Sequence, residues 1–169
     1  MKEILEAIEF AYKKHEGQVR PGGESQFAHV VRMTKLVAEY LAVHDLENSC
    51  GANTFIISAI LHDVLEDTSA TKQEIAEKFG SEVANIVQAL SHENEEEPDE
   101  VYLHQVASGG TVAIIVKRCD RLDNMRTLTN TSPEFRARKC EEVRAALPIW
   151  KEIDPEGAIE IEKEVNKYG

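Results

Sequence analysis

Residues 54–68 read TFIISAILHDVLEDT, and these residues indicate the fold more clearly than any others in the chain. The run FIISAIL, residues 55–61, is apolar almost all the way around a helix, which is typical of a helix buried on every side. We therefore expect a central helix from about Thr54 to Glu66, with other helices packed around it. Because the apolar run ends directly on His62 and Asp63, two ionisable groups are expected at the edge of the core.

Apolar residues recur at helical spacing on both sides of this stretch, and no segment alternates as a half-buried strand would. The expected core residues are Ile4, Leu5, Ile8 and Ala11 in a first helix and Val30, Val31, Thr34, Val37 and Leu41 in a second. The segment TVAIIVKRCDRLDNMRTL, residues 111–128, predicts a long helix, because the helical period continues beyond its apolar start.

Capping residues mark further helix boundaries. The expected boundaries are a capping box of Thr71 and Glu74, a stop at Gly80, a start at Pro133, and an N-cap at Asp154 followed by Pro155. The expected core residues near the end of the chain are Val143, Leu147 and Trp150. The sequence therefore predicts an all-α helical bundle that forms a single domain over residues 1–169.

The charge balance narrows the classes of partner. The formal net charge is −12, and nucleic-acid binding requires a broad basic face, so we expect no nucleic-acid partner. No stretch approaches the roughly 20 apolar residues of a membrane span, and the first residues lack a secretory signal, so we expect no membrane partner and a cytoplasmic location. A small phosphorylated ligand needs only a local basic cluster, for which the candidates are Lys13, Lys14, Arg20, Lys117, Arg118, Arg121 and Arg126.

Two other patterns are interpreted as structural. Cys50, Cys119 and Cys140 are odd in number and far apart, which argues against a disulfide framework and a zinc knuckle. The run HENEEEPDE, residues 92–100, predicts an exposed loop that leads into a helix, because densely placed like charges repel and stay solvated.

The dipeptide His-Asp occurs twice, and its surroundings separate the two copies. His44–Asp45 precedes a polar turn and needs no function, whereas His62–Asp63 follows the buried run. Burying ionisable groups is costly unless something compensates, and a divalent cation is the usual compensation. Residues four apart share a helix face, so Glu66 and Asp67 are expected to stack with this pair. A purely structural interpretation, a capped helix end, stays open.

A second polar cluster lies in DRLDNMRT, residues 120–127. Asp120, Asn124 and Thr127 fall on one helix face, and Asp123 lies off it and is expected to face solvent. His29 lies on the apolar second helix, and it becomes a candidate metal ligand because these two clusters offer partners for it. His29, His62, Asp63 and Asp120 together form a mixed nitrogen and oxygen ligand set. Such a set suits manganese, iron or another octahedral divalent ion better than closed tetrahedral zinc.

This ligand set predicts the chemistry. A divalent cation held in this way activates water and polarises a phosphoryl oxygen. Glu66 and Asp67 are placed to orient or deprotonate that water. We therefore expect hydrolysis of a phosphate ester or anhydride.

The pattern of His29, His62–Asp63, Glu66–Asp67 and Asp120 resembles the HD superfamily of metal-dependent phosphohydrolases. The segments HEGQVRPGGESQFAH, ISAILHDVLEDTSATKQEIAEKFG and VKRCDRLDNMRTL are similar to the hydrolase domain of RelA/SpoT proteins and to the stand-alone small alarmone hydrolases. The similarity runs from about His15 to Leu128. It implies an all-helical fold, manganese as the cofactor, and removal of the 3′-pyrophosphate from guanosine tetra- and pentaphosphate (ppGpp and pppGpp).

The resemblance also implies a role for each matched residue. The metal ligands would be His29, His62, Asp63 and Asp120, the water-activating pair Glu66 and Asp67, and the nucleoside contacts Arg20, Asn124 and Thr127. Arg20 would stack on the guanine base. Two departures concern the substrate: the chain reads SQFAHV where the family usually has PYIxHP, and Pro21 stands where lysine is common.

Three functions are compatible with these residues. The first is a manganese-dependent (p)ppGpp 3′-pyrophosphohydrolase that acts on a small-molecule nucleotide. The second is an HD-domain hydrolase of another nucleotide or phosphorylated metabolite, which the departures favour. The third is a non-catalytic nucleotide-binding module, although such a module would be expected to lose a ligand or an acidic residue, and all of them are present.

Overall fold

Helices make up most of the computed structural model, which describes residues 1–49, 51–92 and 98–168. They are α1 Lys2–Lys14, α2 Gln26–Val43, α3 Ala52–Leu61, α4 Val64–Asp67, α5 Lys72–Phe79, α6 Ser81–Leu90, α7 Asp99–Ser108, α8 Gly110–Thr127, α9 Pro133–Ile153 and α10 Pro155–Val165. Short 3-10 helices follow at Leu128–Asn130 and Asn166–Tyr168. The described residues contain no β-strand, only one isolated bridge between Val19 and Ser25. The predicted all-α fold is confirmed.

The helix α3 lies at the centre of the bundle, as its apolar sequence predicts. It packs against α1, α2, α6 and α8, and α2 also packs against α8. Six of its ten residues are buried, among them Ala59 and Leu61, which have no exposed surface. This three-way contact of α2, α3 and α8 brings together the helices that carry the predicted polar clusters.

The capping residues act where the sequence places them. Thr71 and Glu74 form both hydrogen bonds of the capping box, and Gly80, with φ of +90°, ends α5. Pro133 opens α9, and Asp154 caps α10 by accepting from the backbone N–H of Gly157. These boundary predictions are confirmed, and so is the continuous helix α8 through its apolar start.

The central helix is shorter than predicted. We expected it to continue to about Glu66, but α3 ends at Leu61, and His62 and Asp63 form a turn before α4. The His62 Nδ1 lies 2.9 Å from the carbonyl oxygen of Ala59, to which the amide of Asp63 would donate in a continuous helix. The side chain therefore competes with the helical hydrogen bond at this position.

Parts of two predicted core faces differ in the structure. On α1, Ala11 is buried as predicted, but Leu5 and Ile8 are exposed and Ala7 is buried in their place. On α2, Val31 is exposed at 55%, whereas Val30, Val37 and Leu41 are buried as predicted. The inward faces carry small residues on α1, because α1 packs directly on α3 and a small side chain allows close approach.

The last helices close one end of the bundle around a third apolar cluster. Trp150 is fully buried there with Val143 and Leu147, as predicted. Cys119 and Cys140 are free and buried, whereas Cys50 and residues 93–97 of the acidic run lie outside the described residues. The helix predicted after that run is present as α7. Among the described residues, no helix combines the length and apolar character that a membrane crossing requires.

Candidate metal centre and ligand cavity

The structure brings the four predicted ligands together where α2, α3 and α8 meet. The Nε2 atoms of His29 and His62 face each other at 3.3 Å. Asp63 Oδ2 lies 2.9 Å from the His62 Nε2 and 3.7 Å from the His29 Nε2. Asp120 Oδ1 lies 3.3 Å and 4.0 Å from the same two nitrogens. Two nitrogens and two oxygens from distant parts of the sequence thus point at one small volume.

The outer nitrogens of both imidazoles have acceptors of their own. The His29 Nδ1 lies 2.7 Å from Asp123 Oδ2, and the His62 Nδ1 lies 2.9 Å from the carbonyl oxygen of Ala59. Each acceptor favours a proton on Nδ1 and so directs Nε2 toward the other ligands. This pattern, in which the second ring nitrogen donates to a carboxylate or carbonyl, is typical of histidines that bind metal ions.

The surrounding carboxylates favour a positive charge between the histidines. Burial lowers the pKa of His29, but hydrogen bonds with Asp120 and Asp123 and the charge of Asp63 raise it more, to about 9. Burial raises the pKa of Asp63, but the charge of His62 lowers it more, to about 2. A divalent cation would supply positive charge at the place where the protein otherwise holds a proton, so the donor set fits a metal ion.

Asp123 contradicts the prediction that it faces solvent. It is only 3% exposed and contacts His29 directly. Arg32 Nε and Nη2 lie 2.8 and 3.0 Å from its two carboxylate oxygens, and the same guanidinium pairs with Glu24. The inward face of α8 is wider than the face defined by Asp120, Asn124 and Thr127, and Asp123 lies on it because it is three residues from Asp120.

Glu66 and Asp67 line the cavity beside the candidate ligands. Glu66 Oε2 accepts a hydrogen bond of 2.9 Å from the backbone N–H of His92. Asp67 Oδ2 lies 3.4 Å from Gln26 Nε2, at the limit of a hydrogen bond. Burial is the largest cause that raises the pKa of both carboxyl groups. The acidic pair predicted for water activation therefore stands at the cavity wall with few competing partners.

The three residues expected to contact a nucleoside line a smaller cavity beside the main one. Arg20 and Asn124 line both the main cavity, of about 1020 Å³, and an adjoining cavity of about 230 Å³. Thr127 lines the smaller cavity, although its hydroxyl donates to the backbone carbonyl of Asp123 at 2.9 Å. Pro21 lines both cavities as well.

The candidate basic clusters divide between the cavity and the surface. Arg20, Lys117 and Arg121 line the main cavity. Lys117 is buried, and its Nζ lies 2.9 Å from Asp120 Oδ2. Burial raises the pKa of Asp120, but the charge of Lys117 is the largest cause that lowers it, well below its usual value. The other four basic residues pair with acidic neighbours elsewhere: Lys13 with Glu9, Lys14 with Glu74, Arg118 with Glu160 and Arg126 with Glu164.

The sequence interpretation missed the partners of the candidate ligands. Gln26, whose Nε2 donates to Asp63 Oδ2 at 2.6 Å, lies three residues before His29. Lys117 and Asp123 lie three residues before and after Asp120. Residues three apart are neighbours on a helix surface, so this spacing was the signal that finds all three.

Comparisons with known proteins identify the family of this chain. Residues 7–99 match the family model of the HD domain. A guanosine-3′,5′-bis(diphosphate) 3′-pyrophosphohydrolase of Spiroplasma citri is 35% identical over 159 residues, covering 87% of this chain and 20% of the relative. The bifunctional (p)ppGpp synthase/hydrolase SpoT of Escherichia coli is 30% identical over 151 residues, covering 84% and 20%. A probable GTP pyrophosphokinase of Mycobacterium leprae is also 30% identical, covering 82% and 17%.

A solved structure shares the whole fold. It is described as a metazoan ortholog of SpoT that hydrolyzes ppGpp, and it superposes with a TM-score of 0.80 at 21% identity, covering 100% of this chain and 97% of its own. The chain spans about a fifth of the length of the curated relatives it matches. The match to the family model covers more than half of the chain and includes His29, His62 and Asp63, and the chain belongs to the HD-domain family.

Proposed function

We propose that this protein is a metal-dependent phosphohydrolase that removes the 3′-pyrophosphate from (p)ppGpp. The ligands of the cation would be His29, His62, Asp63 and Asp120, and we propose Mn²⁺ as the ion. The observation that carries this proposal is the convergence of two imidazole Nε2 atoms and two carboxylates beside a cavity of about 1020 Å³. Mixed nitrogen and oxygen ligands with room for solvent suit such an ion.

When bound, the cation would supply a water of lowered pKa and a polarised phosphoryl oxygen. Glu66 and Asp67 would accept the proton of that water and orient it toward the phosphorus. Their position supports these roles, because both side chains line the cavity next to Asp63. Lys117, held against Asp120, would place a positive charge close to the phosphate groups of the substrate.

The nucleoside would lie against Arg20, Asn124 and Thr127, where the adjoining cavity meets the main one. Arg20 offers a planar guanidinium for stacking on a base, and such groups stack well on aromatic rings. The adjoining volume of about 230 Å³ lies beside all three residues and also contacts Arg121. A ligand that extends from this volume to the carboxylates would carry its base and its reacting phosphate at opposite ends.

The identity of the substrate is supported by relatives. Those of Spiroplasma citri and Aquifex aeolicus are named guanosine-3′,5′-bis(diphosphate) 3′-pyrophosphohydrolase and are 35% and 33% identical to this chain. A second candidate function, hydrolysis of another nucleotide or phosphorylated metabolite, is favoured by Pro21. This residue lines the cavity at a position where the resemblance expects a lysine, so one phosphate contact would be missing.

The proposal is tested with the purified chain, Mn²⁺ and ppGpp, by measuring pyrophosphate release. His62→Ala should reduce the rate by about 100-fold or more, because a metal ion contributes several kcal/mol of transition-state stabilisation. His44→Ala is the matched control, since His44 belongs to the other His-Asp pair and is exposed at the end of α2. It should keep the rate of the unmodified protein.

Three results would separate the alternatives. If the chain is inert on ppGpp but cleaves another compound in a panel of nucleotides with 3′- or 5′-phosphates, the second function replaces the first. If metal analysis finds no cation bound under any condition and no nucleotide is cleaved, the third function, a non-catalytic nucleotide-binding module, is favoured. Equal loss of activity in His44→Ala and His62→Ala would contradict the assignment of the site.

A further inference from the structure

Gln26 occupies an unusual position for a long polar side chain. It is the first residue of α2, one turn before His29, and it is only 7% exposed. Ser25 accepts a hydrogen bond from the N–H of Ala28 and so fixes where the helix begins. The Gln26 side chain is thereby directed from the helix end into the cavity.

Both ends of the Gln26 amide have charged partners. Its Nε2 donates to Asp63 Oδ2 at 2.6 Å, and its Oε1 accepts from Arg20 Nη1 at 3.1 Å. A carboxylate can only accept and a guanidinium can only donate, so the two partners fix the orientation of the amide. Gln26 thus connects a candidate metal ligand to the candidate base-stacking residue.

Asn124 makes the same connection on the other side. Its Nδ2 donates to Asp120 Oδ1 at 2.6 Å, and its Oδ1 accepts from Arg20 Nη2. The two terminal nitrogens of one guanidinium therefore reach two carboxylates through two amides. Since an amide is neutral, it orients each carboxylate without cancelling the negative charge that a cation would need.

We propose that Gln26 is a positioning residue that aligns Asp63 for the cation and Arg20 for the nucleotide, and so couples their binding. This inference rests on the proposed function for the identity of the nucleotide, but the metal-binding half stands by itself. Fixed orientation of ligands by outer hydrogen bonds typically contributes 10–100-fold to metal affinity. Coupling is reciprocal, so the cation and the nucleotide should change each other's affinity by the same factor. Because Arg20 donates to the amide that orients Asp63, we expect a change at Arg20 to affect cation binding as well.

Gln26→Met tests the positioning role. Methionine has a similar length and fills the buried space, but it makes neither hydrogen bond. Arg20 keeps Glu24 nearby, with Arg20 Nε and Glu24 Oε1 3.6 Å apart, so its charge is not left uncompensated and the variant should fold. The dissociation constant for Mn²⁺ should rise about tenfold in a competition titration against a chromophoric chelator.

Gln73→Met is the matched control. Gln73 is exposed on α5, and its amide donates to Glu77 Oε1 at 2.8 Å, so the same chemical change is made away from the site. Its dissociation constant for Mn²⁺ should equal that of the unmodified chain. The melting temperatures of both metal-free variants should stay within a few degrees of that of the unmodified chain. This measurement distinguishes a positioning role of Gln26 from a loss of folded structure.

Arg20→Met completes the test of coupling. Alone it should also weaken Mn²⁺ binding, and in the double variant the combined factor should be smaller than the product of the two single factors, because Arg20 acts on Asp63 through Gln26. Unchanged Mn²⁺ affinity in Gln26→Met would overturn the inference. If the loss of Mn²⁺ affinity in the double variant equals the product of the two single losses, the coupling is overturned. If Mn²⁺ binding responds as expected but ppGpp is not cleaved, only the proposed substrate fails.

Discussion

Replacing Asp123 with alanine should weaken cation binding while the protein stays folded. Asp123 fixes the orientation of His29 through a contact of 2.7 Å between Oδ2 and Nδ1, and its loss frees that ring to rotate and to change tautomer. Arg32 is left half-exposed and keeps its two hydrogen bonds to Glu24, each of 2.6 Å. No stranded buried charge results, so we expect folding to survive.

The expected magnitude depends on pH because two effects oppose each other. Loss of an outer partner of a metal-binding histidine costs 10–100-fold in affinity, or about 1.4–2.7 kcal/mol. Asp123 also helps to raise the pKa of His29 to about 9, so its removal lowers this pKa and makes the proton on His29 easier for the cation to displace. This competition between proton and cation reduces cation affinity near pH 7 and disappears above the pKa of His29. The defect should therefore be partial at about pH 7 and reach its full size near pH 9.

The assay is a competition titration of Mn²⁺ on the metal-free chain, performed anaerobically at both pH values. Asp123→Asn should show a smaller defect, because its Oδ1 still accepts from Nδ1. Glu164→Ala is the control: this carboxylate is also buried and paired with an arginine, Arg126, but it contacts neither histidine in the described residues. If a folded Asp123→Ala binds Mn²⁺ within twofold of the unmodified chain near pH 9, the positioning of His29 by Asp123 is refuted.

Two further predictions concern the unmodified chain and its core. Because His29 is protonated below a pKa of about 9, Mn²⁺ must displace this proton to bind. The affinity for Mn²⁺ should therefore rise roughly tenfold per pH unit up to that pKa. The same titration at several pH values checks this, and an affinity that does not change with pH contradicts it. Trp150→Ala should lower the free energy of unfolding by about 3–5 kcal/mol, because the indole is fully buried between α9 and its neighbours. Denaturant titration measures the change, and a loss below about 1 kcal/mol would show that the site collapses around the vacancy.

Much of the candidate site could be predicted because helical spacing places its residues on shared faces. The pair His62–Asp63 is the clearest example, because the buried apolar run before it distinguishes it from the exposed pair His44–Asp45. Asp120 and Asn124 were likewise predicted to share a helix face, and in the structure a hydrogen bond of 2.6 Å joins them. Asp123 was assigned to solvent, since a stripe drawn through four-residue steps underestimates how wide the buried face of α8 is. Gln26 on α2 and Lys117 on α8 were not linked to the candidate ligands, because each lies three residues, not four, from one of them.

The helices could be predicted without the structure, because their periods, caps and glycine stops are local properties of neighbouring residues. The sequence also determined that α3 is central, since an apolar surface on every side must be covered. The end of α3 at Leu61 was visible only in the structure. The His62 Nδ1 lies 2.9 Å from the carbonyl oxygen of Ala59, and the orientation of this ring depends on His29 and Asp120, which face it from α2 and α8. Only the tertiary structure placed Arg20 against Asn124, 104 residues away, because the rotation and approach of packed helices depend on side chains from the whole chain at once.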